Sequence, residues 1–168
     1  KMSVAGDLVT DSQRRELTNV WGVDDIRESY ASSETGIVAS AIDDTRKLVP
    51  LLHRFILEII PDDGSEDIID IRDVEKIRQG SLLITDPTRT AVNLTRYQIG
   101  DKVSIHPTEN IPRIKILGRE DNSINLSGAL LYPSQIHEAV GDTFGPNTDW
   151  VARVSEPGFP AIDFYIVD

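Results

Sequence analysis

The stretch RYQIGDKV, Arg96–Val103, decides how the middle of the chain is read. It sets an aromatic residue, a glycine and an acid within five positions, directly behind Arg96 and a strand-like run. Gly100 tolerates positive φ, so Ile99-Gly100-Asp101 reads locally as a turn between two strands. The same residues also have chemistry to offer. A carboxylate such as Asp101 can accept from both hydroxyls of a ribose, and a glycine lets the backbone approach a flat ligand. The choice depends on what surrounds the stretch.

Outward from it, the pattern is one of short strands. Upstream, RFILEII is closed by Pro61-Asp62-Asp63-Gly64, and GSLLITD is closed by Asp86-Pro87. Downstream come DKVSI and RIKILG. A short polar helix, or more strand, is expected between Asp70 and Arg78. Short strands punctuated by Pro and Gly predict an irregular antiparallel sheet or partial barrel over residues 38–120.

The flanks carry helices. Thr10-Asp11-Ser12-Gln13 forms a capping box, Leu17, Val20 and Trp21 make an apolar stripe, and Gly22 supplies the stop. DDIRESYAS then alternates as a strand from Ile26 to Tyr30, and a strand ending near Ser3-Val4-Ala5 is expected before the helix. This is the end of an α/β layer, residues 1–37. Residues 121–168 read as the start of a small α+β domain. There a strand leads through Gly128 to a helix begun by Pro133 and buried along Ile136, Ala139 and Val140. Two strands joined by Pro157-Gly158 follow. The fold class is α/β with α+β elements.

Composition narrows the function. Of 168 residues, 39% are hydrophobic, enough for a packed core, and the net charge of −11 argues against binding nucleic acid. With no cysteine there is no disulfide, thiolate metal site or cysteine nucleophile. That composition is compatible with a cytoplasmic location. No run approaches the roughly 18–20 apolar residues that span a bilayer, so a soluble protein without a membrane partner is expected. His53, His106 and His137 stand in unrelated contexts, and a shared metal site is not expected of them.

Three further segments carry chemistry. SYASSETG combines Tyr30, Ser32, Ser33, Glu34 and Gly36 at the end of a predicted strand, where α/β sheets bind ligands. An aromatic for a base, a hydroxyl for phosphate and a carboxylate for Mg²⁺ would make a nucleotide corner, or the segment is simply a loop. In LGRED, Arg119 and Asp121 flank Glu120 where strand periodicity breaks; a surface ion pair is the plainer reading. In NLSGALLYP, Gly128 reads as a turn between strand and helix.

In their order, these segments resemble the acyl-adenylate-forming enzymes, the AMP-binding superfamily of acid–CoA ligases, aryl-acid adenylating enzymes and luciferases. The phenylacetate–CoA ligase branch is the closest likeness. Its Y-G-x-[ST]-E, Y-R-T-G-D and G-R-x-D boxes correspond to Tyr30-Ala31-Ser32-Ser33-Glu34, Tyr97-Gln98-Ile99-Gly100-Asp101 and Gly118-Arg119-Glu120-Asp121. A proline-started helix, YPSQIHEAV, follows in both. SLLITDPTRTAVNLTRY and VAGDLVTDSQRRELTNVWG are likewise similar to runs of that branch.

The resemblance implies roles. Tyr30 would stack on adenine, Ser33 would contact the α-phosphate, and Glu34 would hold Mg²⁺. Asp101 would bind the ribose hydroxyls and Arg119 would reach ribose or phosphate, with Glu34 and Arg119 as the catalytic residues. Asp121 would fall on the hinge of the small domain, and Gly128 in the loop along the CoA pantetheine path. The implied activity is ATP-dependent activation of a carboxylic acid, expected to be aromatic, with CoA, a carrier thiol or an amine as acceptor. Ala31, Gln98-Ile99 and Asn125 depart from the usual glycine, Arg-Thr pair and lysine. The family's phosphate loop is expected before Lys1 and its catalytic lysine after Asp168. The chain therefore reads as a fragment of a longer enzyme, inactive alone. A degenerate, non-catalytic nucleotide-binding module is the alternative.

Overall fold

Two parallel strands open the structure: β1 (Met2–Ala5) runs beside β2 (Ile26–Ser32), with Met2 opposite Ile26 and Ala5 opposite Ser29. A parallel pair requires a long connection, here the helix-bearing segment between them. The computed structural model describes residues 1–6, 9–43, 45–65, 67–126, 129–145, 148–155 and 161–167. They pack as two units, Lys1–Leu8 with Asp25–Glu120, and Val9–Asp24 with Asp121–Asp168.

In the first unit, β3 (Gly36–Ser40) and the two-residue β4 (Val49–Pro50) extend the sheet antiparallel in the order β1-β2-β3-β4. A five-stranded antiparallel sheet follows: β5 (Ile56–Pro61), β6 (Ile69–Asp70), β7 (Arg78–Asp86), β8 (Leu94–His106) and β9 (Arg113–Arg119). Its order is β6-β5-β7-β8-β9. Its two edges are different strands, so it is an open sheet, not a closed barrel. Between Asp70 and Arg78 the chain makes one 3-10 turn, Ile71–Asp73, capped by the Asp70 carboxylate on the Arg72 N–H at 2.9 Å.

The core of this unit follows the strand alternation. Leu57 and Ile59 of β5, Leu82 and Ile84 of β7, Val103 and Ile105 of β8 and Ile114 of β9 pack with Val38 and Phe55. Each such side chain contributes about 1.5–3 kcal/mol by leaving water. Truncating a fully buried one, such as Ile105→Ala, costs about 2–5 kcal/mol. Gly80 is compulsory where β5 and β7 meet: a Cβ there would lie 2.3 Å from the Ile60 carbonyl oxygen.

RYQIGDKV is not a turn between strands. It lies inside β8, continuous from Leu94 to His106. Against β7, Lys102 pairs with Ser81 and Gln98 with Leu83, so the residues between form a bulge at Ile99–Asp101. Gly100, at φ +87°, supplies the positive φ the bulge requires. Partners on both flanks keep the strand extended; glycine at this position suits a turn equally well.

The second unit contains α1 (Asp11–Trp21), β10 (Ile124–Leu126), β11 (Ala129–Leu131), α2 (Pro133–Phe144), β12 (Asp149–Ser155) and β13 (Ala161–Val167). The capping box forms as expected. Thr10 Oγ1 accepts from the Gln13 N–H at 3.3 Å, and Gln13 Oε1 accepts from the Thr10 N–H at 3.0 Å. Gly22, at φ +62°, donates its N–H to the Thr18 carbonyl and ends α1. Arg15 of α1 pairs with Asp142 of α2, and His137 of α2 meets Gln13 at 3.3 Å and the Trp150 indole N–H at 3.2 Å.

Two expected faces differ. Val20 and Trp21 are 67% and 68% exposed, and α1 buries Ser12 instead. On α2, Ile136 and Val140 are buried but Ala139 is exposed. Helical spacing marks residues that share a face; what covers that face is set by tertiary packing. β12 and β13 form the expected antiparallel pair, Trp150 opposite Ile166. Gly128 and Pro157-Gly158 lie outside the described residues. Among the described residues no helix is long and apolar enough to cross a membrane.

Candidate functional site

The bulge in β8 has a direct consequence on β9. There the register places Asp101 opposite Arg119, bringing the second and third motifs face to face. Arg119 Nη1 lies 3.8 Å from Asp101 Oδ1. A Cβ on Gly100 would sit 3.1 Å from Arg119 Nη2, so the glycine leaves the guanidinium room to cross the bulge. The Glu120 N–H donates to the Gly100 carbonyl at 2.8 Å, fixing the end of β9 on the bulge.

The first motif joins from β2. The Tyr30 hydroxyl donates to Asp101 Oδ2 at 2.5 Å. Burial, reinforced by that hydrogen bond to a carboxylate, pushes the phenol far above its ordinary value and keeps it a donor. Asp101 is only 8% exposed, yet each of its oxygens retains a second lone pair for a ligand hydroxyl. The half-buried Tyr30 ring packs against the core.

Beyond Tyr30 the chain turns at Ser32–Gly36. Thr35 closes this turn: its N–H donates to Ser32 Oγ at 3.2 Å and its hydroxyl lies 2.9 Å from the same oxygen. Ser33 and Glu34 stand exposed at the tip, the Ser33 hydroxyl donating to Glu34 Oε2 at 3.1 Å. Tyr97 of β8 reaches Glu34 Oε1 with its hydroxyl at 3.5 Å. The backbone N–H of Glu34, then the Ser32 and Ser33 hydroxyls, hold the Glu34 carboxyl below its ordinary range. It is a hard anionic oxygen donor at any pH near neutrality.

Tyr30, Ser33, Glu34, Asp101 and Arg119 thus lie in one unit, and β8 touches both ends of the first motif. Asp121 is exposed in the turn after β9 and begins the second segment of the second unit. Gly128 lies outside the described residues. Among the described residues no group of three or more His, Cys, Asp or Glu could hold a metal by itself. Glu34 is a single carboxylate, which suits Mg²⁺ bound mainly by phosphate oxygens and water.

Several contacts around the site were not expected. Gln98 donates to Glu120 Oε2 at 3.4 Å, and Ile99 fills the core. Glu120 also accepts from Ser81 at 3.3 Å and pairs with Lys102 at 3.4 Å. Burial pulls Lys102 down, but Asp62 and Glu120 outweigh it and raise its pKa above the ordinary value. Arg54 reaches the Thr35 carbonyl at 3.1 Å and Asp86 at 3.2 Å. Of these, only Asp86 carries a local signal: DPT favours an Asx turn, and Asp86 accepts from the Thr88 N–H at 3.0 Å.

No protein-family model and no curated protein matches the sequence. Solved structures do match in fold. A 2-hydroxyisobutyryl-CoA ligase in the postadenylation state superposes with a TM-score of 0.71 at 17% identity, over 94% of this chain and 34% of that one. An anthranilate–CoA ligase in complex with anthranoyl-AMP gives 0.69 at 14%, over 99% of this chain and 33% of that one. The unliganded O-succinylbenzoate–CoA synthetase of Bacillus subtilis gives 0.67 at 13%, over 99% and 38%. The chain therefore spans about a third of the length of these relatives. Its fold is that of the acyl- and aryl-CoA ligases of the AMP-binding superfamily, the superfamily that its three motifs resemble.

Proposed function

We propose that this chain supplies the adenosine side of the nucleotide site in an ATP-dependent, acid-activating ligase. One observation carries the reading: Tyr30, Asp101 and Arg119, from three separate segments, converge through a 2.5 Å hydrogen bond and a direct strand register. In the reaction a substrate carboxylate attacks the α-phosphorus of ATP, the α–β phosphoanhydride bond breaks, and acyl-AMP and pyrophosphate form. A thiol, taken here as that of CoA, then attacks the acyl carbon and AMP leaves. Such chemistry depends on positioning and charge neutralisation more than on covalent participation by the protein.

The roles follow from side-chain chemistry. Asp101 accepts from the ribose hydroxyls, held by the Tyr30 hydroxyl while the Tyr30 ring faces the adenine. Arg119, half-exposed beside Asp101, donates to ribose or phosphate. Ser33 donates to the α-phosphate, and Glu34 offers the anionic oxygen for Mg²⁺. Asp121 at the pivot of the small domain, Gly128 beside the thiol path and an aromatic acid substrate rest on the motif resemblance.

Calorimetry with ATP and Mg²⁺ tests the nucleotide site. The protein binds, and Asp101→Ala loses affinity by about 10–100-fold, as expected when a charged hydrogen-bond partner is removed. Equal affinity in both proteins overturns the ribose role. Pyrophosphate exchange by the full-length protein, run over a panel of carboxylic acids, then identifies the acid. Transfer to an amine in place of CoA would show as amide product when the acid and ATP are incubated with an amine and the products are analysed.

A further inference from the structure

The exposed Ser33–Glu34 tip raises the question of what keeps it in place. Its neighbour Thr35 is fully buried, and the Thr35 carbonyl points at Arg54. One nitrogen, Arg54 Nη2, donates to that carbonyl at 3.1 Å and to Asp86 Oδ2 at 3.2 Å. The guanidinium also lies over the Phe55 ring, 4.6 Å from its centroid, and Phe55 belongs to the core. Asp86, at the end of β7, has a side chain with 0% exposure. The Thr88 hydroxyl and backbone N–H fix it at 2.6 and 3.0 Å. The Thr88 hydroxyl, ahead of Arg54, holds this carboxyl below its ordinary range despite burial. The result is a chain of contacts from β7 through a cation to the backbone of the turn.

We propose that Arg54 is a positioning residue for the phosphate and Mg²⁺ side of the site, with Asp86 as its brace. Its bond to the Thr35 carbonyl sets where Ser33 and Glu34 stand relative to Asp101. Neither Arg54 nor Asp86 needs to touch nucleotide. Thr35, Arg54 and Asp86 come from β2–β3, the entry to β5 and the end of β7, so the device ties the turn to the five-stranded sheet. The consequence for catalysis rests on the nucleotide-site reading above; the consequence for the turn does not.

Removing Arg54 alone leaves buried Asp86 with only the longer 3.9 Å contact to Arg89 and can unfold the protein. The informative variant is the double substitution Arg54→Met with Asp86→Asn, which removes both charges together. Its denaturation midpoint is expected to stay near wild type. Amide exchange at Thr35 and Gly36 is expected to accelerate about tenfold, the scale of one lost charge-assisted hydrogen bond, while β5 and β8 keep their protection. Unchanged exchange at the turn overturns the proposal, whatever the protein does with nucleotide. In the full-length ligase the same variant raises the KM for Mg-ATP and lowers kcat for acyl-AMP formation, with the KM for the acid unchanged. Arg54→Lys, keeping the charge but not the planar guanidinium over Phe55, recovers part of both. A double variant with loosened exchange but wild-type Mg-ATP kinetics removes Arg54 from the catalytic role. A wild-type protein that never binds ATP overturns the nucleotide reading and leaves the exchange result standing.

Discussion

Asp101 and Glu34 belong to the same unit and carry the two strongest acidic roles in the proposed site, but they are held in opposite ways. Asp101 sits buried on a strand hydrogen-bonded on both sides, with Tyr30 on one oxygen and Arg119 facing the other. Glu34 sits exposed at the tip of a short turn, touched by hydroxyls and tied to the sheet through the Arg54 contact to its neighbour. A sugar presents two fixed hydroxyls to a pre-formed acceptor, and rigidity serves that task. A hydrated Mg²⁺ arrives with its phosphates, and a carboxylate in water can meet it with little desolvation cost. The contrast teaches that the first partner is built into the β-sheet, whereas the second is only steered by it.

The largest effect on this contrast belongs to Asp101→Ala, through the affinity loss stated above. Next comes Gly100→Ala. Alanine at φ +87° is strained, and its Cβ presses on Arg119 Nη2 at 3.1 Å. Stability is expected to fall by about 1–3 kcal/mol, read from the urea midpoint, and nucleotide affinity should fall with it. If Gly100→Ala loses stability but keeps its affinity, the bulge is structural punctuation and Arg119 is not steered by it.

The bulge also marks the limit of what the sequence discloses. Thr10 with Gln13, Gly22 as a stop and Pro133 as a helix start were legible because each signal and its partner lie within four residues. The three motifs were legible as a resemblance, and β5, β7, β9 and parts of β8 by their apolar runs and the Pro and Gly that close them. Ile99-Gly100-Asp101 was not, since glycine at positive φ serves a turn and a bulge alike. The difference is made by β7 and β9, whose pairing is non-local. Val20 and Trp21 have the spacing of a buried face and are exposed, because periodicity says nothing of the opposing surface. Thr35, Arg54 and Asp86 are 19 and 32 residues apart along the chain, and no local pattern links them.

A smaller effect separates the two regions by pH. Tyr30→Phe removes a hydrogen bond to a buried carboxylate and is expected to cost about 1–2 kcal/mol near neutral pH. The folded phenol has its pKa raised, so the native state keeps this proton when the unfolded chain gives it up. The stabilisation is therefore complete below the unfolded tyrosine value of about 10 and is lost as pH rises beyond it. Wild type and Tyr30→Phe should differ most at neutral pH and converge in alkali, measured by denaturation at a series of pH values. A constant gap across that range would mean that the hydroxyl does not meet the Asp101 carboxylate.

Glu34→Gln gives the smallest effect on the fold and the sharpest test of the contrast. The side chain is exposed, its partners are hydroxyls that also accept solvent, and the amide keeps its shape, so the denaturation midpoint should not move. What should change is the metal dependence of nucleotide binding. Wild type is expected to bind ATP more tightly as Mg²⁺ is added, and Glu34→Gln to lose most of that increment while binding metal-free AMP as wild type does. Asp101→Ala should do the reverse, weakening AMP and ATP equally at every Mg²⁺ concentration. If both variants weaken AMP alike, the two carboxylates act as one cluster, and the division between a sugar acceptor in the sheet and a metal ligand on the turn fails.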